Sequence, residues 1–239
     1  MTSRGRMSLV SPSLAMRAAA AAIVLVIGVG GGLLIWQYPQ LPDLLPVHFR
    51  PNGTPNGWQY KTWARVMMPV LVQLALALPM GAVATLLLSR AHGVSDHEAA
   101  DVKAARVAAE AVTMLALIWV SFQAYAAFAL IGMWSRGRSG LGLWYTYFEL
   151  SGIVLTGLVA VRAHVNVGRP EPREYVPEHW RFGQLYSNAE DPALFVPTRD
   201  GSRWTLNFGR PAAATLLGVL LTGGILGPTL VLWLVLRWR

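Results

Sequence analysis

Five long apolar runs alternate with polar segments along this chain of 239 residues. In helical form each run is about 28 Å long or more, which matches the hydrocarbon thickness of a bilayer. We therefore predict an all-α integral membrane protein, a bundle of five transmembrane helices with a proline-rich outer loop and a small cytoplasmic β-hairpin segment. The predicted helices are Ala18–Trp36, Val66–Leu88, Ala111–Met133, Leu141–Val161 and Ala212–Leu236.

The polar segments divide the chain into three regions. Residues 1–161 are predicted to form a four-helix membrane region, which includes the outer loop at residues 38–63. Residues 162–211 are predicted to form a cytoplasmic segment containing a hairpin. Residues 212–239 then supply the fifth transmembrane helix and a tail.

The outer loop is rich in proline, with Pro39, Pro42, Pro46, Pro51 and Pro55. Proline fixes φ and lacks a backbone donor, which disfavours regular structure. The pairs Asn52-Gly53 and Asn56-Gly57 predict two turns with positive φ. We expect a rigid loop of defined shape that is neither strand nor helix.

The cytoplasmic segment contains two short β-prone runs, Leu194-Phe195-Val196 and Trp204-Thr205-Leu206, on either side of Asp200-Gly201. This pattern predicts a hairpin. Because a lone hairpin is only marginally stable in water, its apolar side needs cover from the membrane interface or the helix bundle. The aromatic residues of this segment are predicted to be interfacial anchors, with a binding groove as the alternative: Trp180, Tyr186, Phe195, Trp204 and Phe208.

The segment before the third helix indicates that this helix projects beyond the membrane. Ser95 and Glu98 have the spacing of a capping box and precede an alanine-rich run. His97 and Asp101 are four residues apart on that projection. They are interpreted as a solvated face, with a shared metal as the alternative.

Composition and charge agree with a membrane protein and set its orientation. The chain is 54% hydrophobic and 13% charged, with a mean hydropathy of +0.42. Lys and Arg number 3, 3 and 7 in the N-terminal tail and the segments 90–110 and 162–210, against 3, 2 and 2 in the other polar segments. The positive-inside rule then predicts a plasma-membrane protein with its N-terminus in the cytoplasm and its C-terminus outside. The Lys and Arg residues do not form a basic stripe of the kind that would indicate nucleic-acid binding.

The candidate chemistry of the outer loop centres on His48, which has Asp43 five residues before it and Arg50 two after it. It is interpreted first as a structural histidine, with ligand or proton recognition as the alternative. Neither a nucleophile nor a carboxylate pair accompanies it, and the chain has no cysteine. We expect no enzyme activity, no cofactor and no metal.

One carboxylate, Glu149, falls inside the fourth predicted helix. An ionised carboxylate there costs about 2.5 to 3.5 kcal/mol on insertion scales, so we expect it to face the bundle interior. Its candidate polar neighbours are Gln73 and Gln123. A protonated structural glutamate and a functional site are both consistent with this position.

The outer loop resembles the family named domain of unknown function 1648, which occurs in SdpI-like bacterial immunity proteins. The residues that carry the resemblance are Leu41-Pro42, Pro46, His48-Phe49, Gly53, Pro55, Trp58 and Lys61. The family often has an acidic residue where this chain has Asn56. The resemblance implies protection of the envelope against a membrane-active toxin and, in some members, binding of a transcriptional repressor. The ligand-binding candidates are His48, Asp43, Phe49, Trp58 and Lys61.

The cytoplasmic segment resembles a second family, domain of unknown function 5808. The matching residues are Tyr186, Asn188, Asp191-Pro192, Phe195-Val196, Gly201, Trp204-Thr205-Leu206-Asn207-Phe208 and Gly209-Arg210-Pro211. From this segment we predict a surface for a protein partner, made by Tyr186, Asn188, Asp191, Trp204, Asn207 and Arg210.

Two functions follow as expectations. The first is a non-enzymatic envelope protein whose outer loop recognises a toxin or small ligand and whose cytoplasmic segment binds a regulator protein. The second is a small transporter or permease component that uses Glu149. The lipid bilayer is the expected environment in both cases, and a homo-oligomer is compatible with either.

Overall fold

The computed structural model describes residues 7–91, 98–138, 140–170 and 172–237. Helices dominate this part of the chain. They are α1 (Leu14–Gln37), α2 (Trp63–Val66), α3 (Met68–Leu88), α4 (Glu98–Arg136), α5 (Leu143–Val167) and α6 (Pro211–Arg237). The strands are β1 (Met7–Leu9), β2 (Leu44–Phe49), β3 (Pro55–Tyr60), β4 (Ser89–Ala91), β5 (Trp180–Arg181), β6 (Leu185–Tyr186), β7 (Phe195–Pro197) and β8 (Trp204–Leu206).

Four described helices are long and apolar enough to cross a membrane: α1, α3, α4 and α5. They coincide with the first four predicted spans, so the prediction of a multi-pass helical membrane protein is confirmed at this level. α6 is a helix where the fifth span was predicted, and its apolar part with described side chains is Pro211–Thr222. The fifth crossing stays a prediction.

The helix ends show where local chemistry overrides the hydropathy pattern. Ser13 precedes α1, and its hydroxyl oxygen accepts a hydrogen bond from the Met16 N–H at 3.1 Å. Thr62 caps α2 in the same way through the Arg65 N–H. α4 begins at Glu98, well before its apolar run, as the predicted projection requires. Of the residues in that projection, Ser95 and His97 lie outside the described part.

The strands pair as antiparallel two-stranded sheets, β1 with β4, β2 with β3, β5 with β6 and β7 with β8. The β7–β8 pair confirms the hairpin predicted within residues 162–211, and Gly201 in its turn has φ +67°. Its cytoplasmic location stays a prediction. The prediction that the outer loop lacks strands was wrong, because β2 and β3 form a hairpin there. Each strand of an isolated pair keeps one open edge, where a proline lacking its N–H removes no ladder hydrogen bond.

Contacts group the chain into two compact units. The first, here the β2–β3 unit, comprises Ala18–Leu78 and Met114–Val159. The second, the β7–β8 unit, comprises Met1–Arg17, Pro79–Thr113 and Ala160–Arg239. Both units draw residues from α1, α3, α4 and α5, so each has a helical core beside its hairpin.

The β7–β8 hairpin is covered by helices of its own unit. Leu194, directly before β7, packs in one buried cluster with Leu87 of α3, Ala109 of α4 and Leu216 of α6. The backbone N–H of Phe195 donates to the buried carboxylate of Asp101 on α4 at 2.8 Å. The helix bundle therefore supplies the cover that the sequence required. Asp101 is buried, so its interpretation as part of a solvated face was wrong.

Candidate functional site

The β2–β3 hairpin has one buried and one exposed face. Strand alternation places Leu45, which is fully buried, and Val47 against the unit's core. The other face is exposed and carries Leu44, Trp58 and Tyr60, a set here called the hairpin face. Trp58 and Tyr60 are 54% and 75% exposed, which is high for large aromatic side chains.

The hairpin face is held in a fixed position from behind. The indole N–H of Trp134 on α4 donates to the Pro46 carbonyl at 3.0 Å. Leu45 packs in the same cluster as Trp134 and Val66 of α2. Because these contacts all lie on the buried side, the exposed aromatic side chains are presented by a supported surface and not by a free loop.

A register shift in the hairpin determines which residue of β3 pairs with His48. His48 lies opposite Gly57, and the pairing is irregular between Pro46 and His48, so the exposed His48 side chain lies on the Gly57 side and not on the hairpin face. A Cβ at Gly57 would lie 2.8 Å from the His48 Cβ, a separation that real Cβ atoms do not reach. The prediction that Gly57 makes a positive-φ turn was therefore wrong. Gly53 does so, with φ +78°, while Gly57 lies in β3 and makes room for His48.

The remaining predicted ligand residues do not join the hairpin face. The Lys61 ammonium donates to the Leu41 carbonyl at 2.7 Å and lies 3.6 Å from the Asp43 carboxylate. Lys61 is only 16% exposed, whereas Asp43 is 93% exposed. Lys61 thus braces the base of the hairpin. Phe49 is half-buried and pairs with Pro55 near the turn.

Leu44 and Tyr60 were missing from the predicted set. They pair across β2 and β3, so they share one face with Trp58. The signal that could have found them is the alternation of side chains along a strand, which was not applied because the loop was predicted to lack strands.

The three polar residues that were predicted to lie within the membrane differ in their burial. Gln73 is buried, and its amide donates to the Val120 carbonyl of α4 at 2.9 Å. Gln123 is half-buried. Glu149 is exposed on α5, so the prediction that it faces the bundle interior was wrong. α5 contacts α4 through Gly152, which packs against Trp119, and Glu149 lies to one side of this contact.

The predicted cytoplasmic partner residues are largely internal. Asn207 is fully buried, and its amide nitrogen lies 2.8 to 3.2 Å from the carbonyl oxygens of Asn188, Asp191 and Ala193. Its amide oxygen accepts from the N–H groups of Asn188 and Gly209, both at 3.0 Å. A residue bonded on every side cannot offer a surface, so for Asn207 that prediction was wrong.

Tyr186 and Asp191 form a second internal group. The buried Tyr186 hydroxyl and the Arg173 guanidinium both donate to one Asp191 oxygen at 2.9 Å. Burial raises the pKa of Tyr186, and the negative charge of Asp191 raises it further, so the phenol remains a donor. Tyr186 therefore packs mainly in the core, and because it also lines a cleft of this segment, its part in a partner surface stays a prediction.

The other predicted partner residues bond within the segment between α5 and α6, here called the β7–β8 module. Trp204 is half-buried and donates its indole N–H at 3.2 Å to the carbonyl of Gly168, the residue after α5. Arg210 is half-buried at the start of α6, and its N–H donates to the Asn207 carbonyl. A cleft in the same segment is lined by residues that include Arg173, Tyr175, His179, Trp180, Tyr186 and Arg199.

The β5–β6 turn carries a strained residue. Phe182 has φ +52° and is 93% exposed, and Gly183 follows with φ +70°. A left-handed conformation costs a non-glycine residue about 1 kcal/mol. We expect Phe182→Gly to raise thermal stability in detergent by about 1 kcal/mol. The matched change Gln184→Gly, at an exposed position without positive φ, is expected not to stabilise. Equal effects at both positions would contradict the strain.

Comparison with known proteins gives a match for the region of the β2–β3 hairpin. A family model described as "Domain of unknown function (DUF1648)" matches residues 25–72. The match covers the β2–β3 hairpin, including the whole hairpin face, and confirms the predicted resemblance there. No curated protein and no solved structure matches the chain. The resemblance of the cytoplasmic segment to a second family stays a prediction.

Proposed function

We propose that this chain is a non-enzymatic envelope membrane protein, whose hairpin face recognises a membrane-active toxin or a similar ligand outside the cell. The proposed topology has five crossings, with the N-terminus in the cytoplasm and the C-terminus outside. Its support is the distribution of Lys and Arg, of which 13 of 20 lie in the segments assigned to the cytoplasm.

The observation that carries the proposal is the exposure of Trp58 and Tyr60 on one face of a supported hairpin, which also exposes His48 near its turn. Aromatic side chains on a fixed backbone bind apolar ligands at low conformational cost, and Trp and Tyr dominate binding energies at interfaces. An amphipathic toxin offers both an apolar side for these rings and polar groups for the His48 imidazole. The chemistry needed for catalysis is not required for such a role.

The cytoplasmic module supports the second half of the proposal, a regulator protein bound inside the cell. The cleft between Arg173 and Arg199 is lined by Tyr175, His179 and Trp180, and the Arg199 guanidinium lies 4.5 Å from the Tyr175 ring centroid. Cationic and aromatic groups in one cleft suit an acidic segment with an aromatic side chain. We therefore propose this cleft as the partner site, in place of the surface that was predicted to include Asn207.

A protection assay tests the outer part of the proposal. A strain lacking the gene would be complemented with variants and challenged with a panel of membrane-active peptides. We expect Trp58→Ala and His48→Ala each to lower the highest peptide concentration that the strain survives by about 10-fold, since each removes an exposed side chain of the hairpin. Trp144→Ala on α5 is the matched control, because Trp144 is also exposed, at 69%.

The comparison requires that all variants are present in the membrane at equal levels, which immunoblotting measures. Full protection by both hairpin variants, or equal loss in Trp144→Ala, would contradict recognition by the hairpin face.

A further inference from the structure

A cavity of about 150 Å³ lies where the β7–β8 module meets the end of α3 and the start of α6. Its apolar lining includes Leu86 in the last turn of α3, Leu194 before β7 and Ala212 in the first turn of α6. Pro211 and Thr215 also line it and are exposed, so the cavity is open to the surroundings of the protein. A cavity of this volume holds an apolar group of about the size of benzene.

The hydroxyl groups of the lining are already bonded to backbone. The Ser89 hydroxyl donates to the Leu86 carbonyl at 2.7 Å, and the Thr215 hydroxyl donates to the Pro211 carbonyl at 2.9 Å. A buried water needs two to four polar partners, and these walls offer few. The cavity therefore suits an apolar occupant better than water.

The position of the cavity indicates where such an occupant comes from. α3 is a candidate membrane helix of 21 residues, about 32 Å long, which is close to the thickness of the hydrocarbon region. Leu86 and Ser89 lie at its end, so they lie near the boundary between hydrocarbon and lipid headgroups. At this depth an acyl chain and a phosphate group are neighbours in the same lipid molecule.

Arg210 supplies a positive charge at the cavity. It is half-buried and lines the cavity beside Pro211. Arg162 and Arg173 form ion pairs with Glu110 and Asp191, whereas the Arg210 guanidinium has no ion pair or hydrogen bond with any residue that the structure describes. A guanidinium group binds phosphate through two parallel hydrogen bonds. The cavity thus combines an apolar wall with an unused phosphate-binding group.

We propose that this cavity binds an anionic phospholipid of the leaflet that the β7–β8 module faces, with part of an acyl chain in the cavity and the phosphate on Arg210. A zwitterionic headgroup carries its own cation beside the phosphate, so it gains less from the guanidinium. The bilayer supplies both parts of this ligand at the depth of the cavity, which favours a lipid over a segment of another protein. The proposal holds whichever side of the membrane the module occupies.

Native mass spectrometry of the full-length protein in detergent tests the headgroup. Phosphatidylglycerol and phosphatidylcholine with identical acyl chains are titrated separately, and we expect phosphatidylglycerol to bind about 10-fold more tightly. Arg210→Gln is expected to abolish this preference. Arg203→Gln is the matched control, because Arg203 belongs to the same module, is exposed and does not line the cavity. It should retain the preference.

A second pair of variants tests the acyl chain while keeping Arg210. The side chain of Thr215→Phe points back along α6 towards the cavity, so it should weaken binding of both lipids about 10-fold, the effect of losing about two buried methylene groups. Ala214→Phe is the control, because Ala214 is exposed and does not line the cavity.

Four results would overturn the proposal. They are equal binding of the two lipids by the unmodified protein, an unchanged preference in Arg210→Gln, equal weakening by phenylalanine at 214 and 215, and displacement of the phospholipid by glycerol phosphate, which has no acyl chain. The comparison of the two lipids on the unmodified protein does not depend on the folding of any variant.

Discussion

Replacing Asn207 with alanine is expected to open the β7–β8 module. The substitution leaves the carbonyl oxygens of Asn188, Asp191 and Ala193 and the N–H groups of Asn188 and Gly209 without their shared partner. Each unsatisfied buried group costs about 1 to 3 kcal/mol. Even with water replacing some bonds, we expect a loss of at least about 3 kcal/mol in the free energy of opening.

Thiol labelling measures this loss directly. Ala193 is 8% exposed, so a cysteine at this position reacts only when the module opens. A loss of 3 kcal/mol corresponds to labelling about 100-fold faster in the Asn207→Ala background. The control is Asn52→Ala, which removes an exposed asparagine whose bonds stay within its own turn, and no change is expected. Unchanged labelling in Asn207→Ala would show that the hydrogen bonds do not hold the module.

The second large effect is expected from Gly57→Ala in β3. The new methyl group would lie 2.8 Å from the His48 Cβ, an atom fixed by the backbone, so the two strands must separate. Overpacking of this kind costs about 1 to 3 kcal/mol. We expect faster proteolysis of the hairpin and loss of protection against membrane-active peptides. Gly28→Ala in α1 is the control, because a Cβ there meets nothing within 4 Å.

A reciprocal variant separates the fold of the hairpin from its proposed function. Combining His48→Gly with Gly57→Ala removes the overlap while leaving one methyl group between the strands. Proteolytic resistance is expected to return, but protection is not, because the imidazole is absent. If Gly57→Ala alone leaves proteolytic resistance and protection intact, close packing at this position is not required for the hairpin's stability or its proposed function.

The helices could be predicted from the sequence because about 20 consecutive apolar residues leave few alternatives. Their ends could not, since ends depend on single caps such as Ser13 and on polar extensions such as the start of α4 at Glu98. The strands of the outer loop were missed because prolines were counted against any strand, whereas Pro46 and Pro55 lie in β2 and β3. Only pairing with a single neighbour makes this arrangement acceptable.

The site was less predictable than the fold. Trp58 was identified by motif, but the face that it shares with Tyr60 depends on the hairpin register, which places His48 on the other side. The role of Asn207 could not be predicted either, because its partners are backbone groups up to 19 residues away, which carry no sequence signal. Glu149 was placed inside the bundle to avoid lipid, and the structure leaves it exposed.

Cysteine labelling in intact cells tests the proposed topology most directly. Asn56, on β3, and Glu190, in the segment that is predicted to be cytoplasmic, are both exposed, and the chain has no cysteine of its own to react. With a membrane-impermeant maleimide, we predict that Asn56→Cys is labelled in intact cells and Glu190→Cys only after permeabilisation. Labelling of both before permeabilisation, or of Glu190→Cys alone, would contradict an outward hairpin face and a cytoplasmic module.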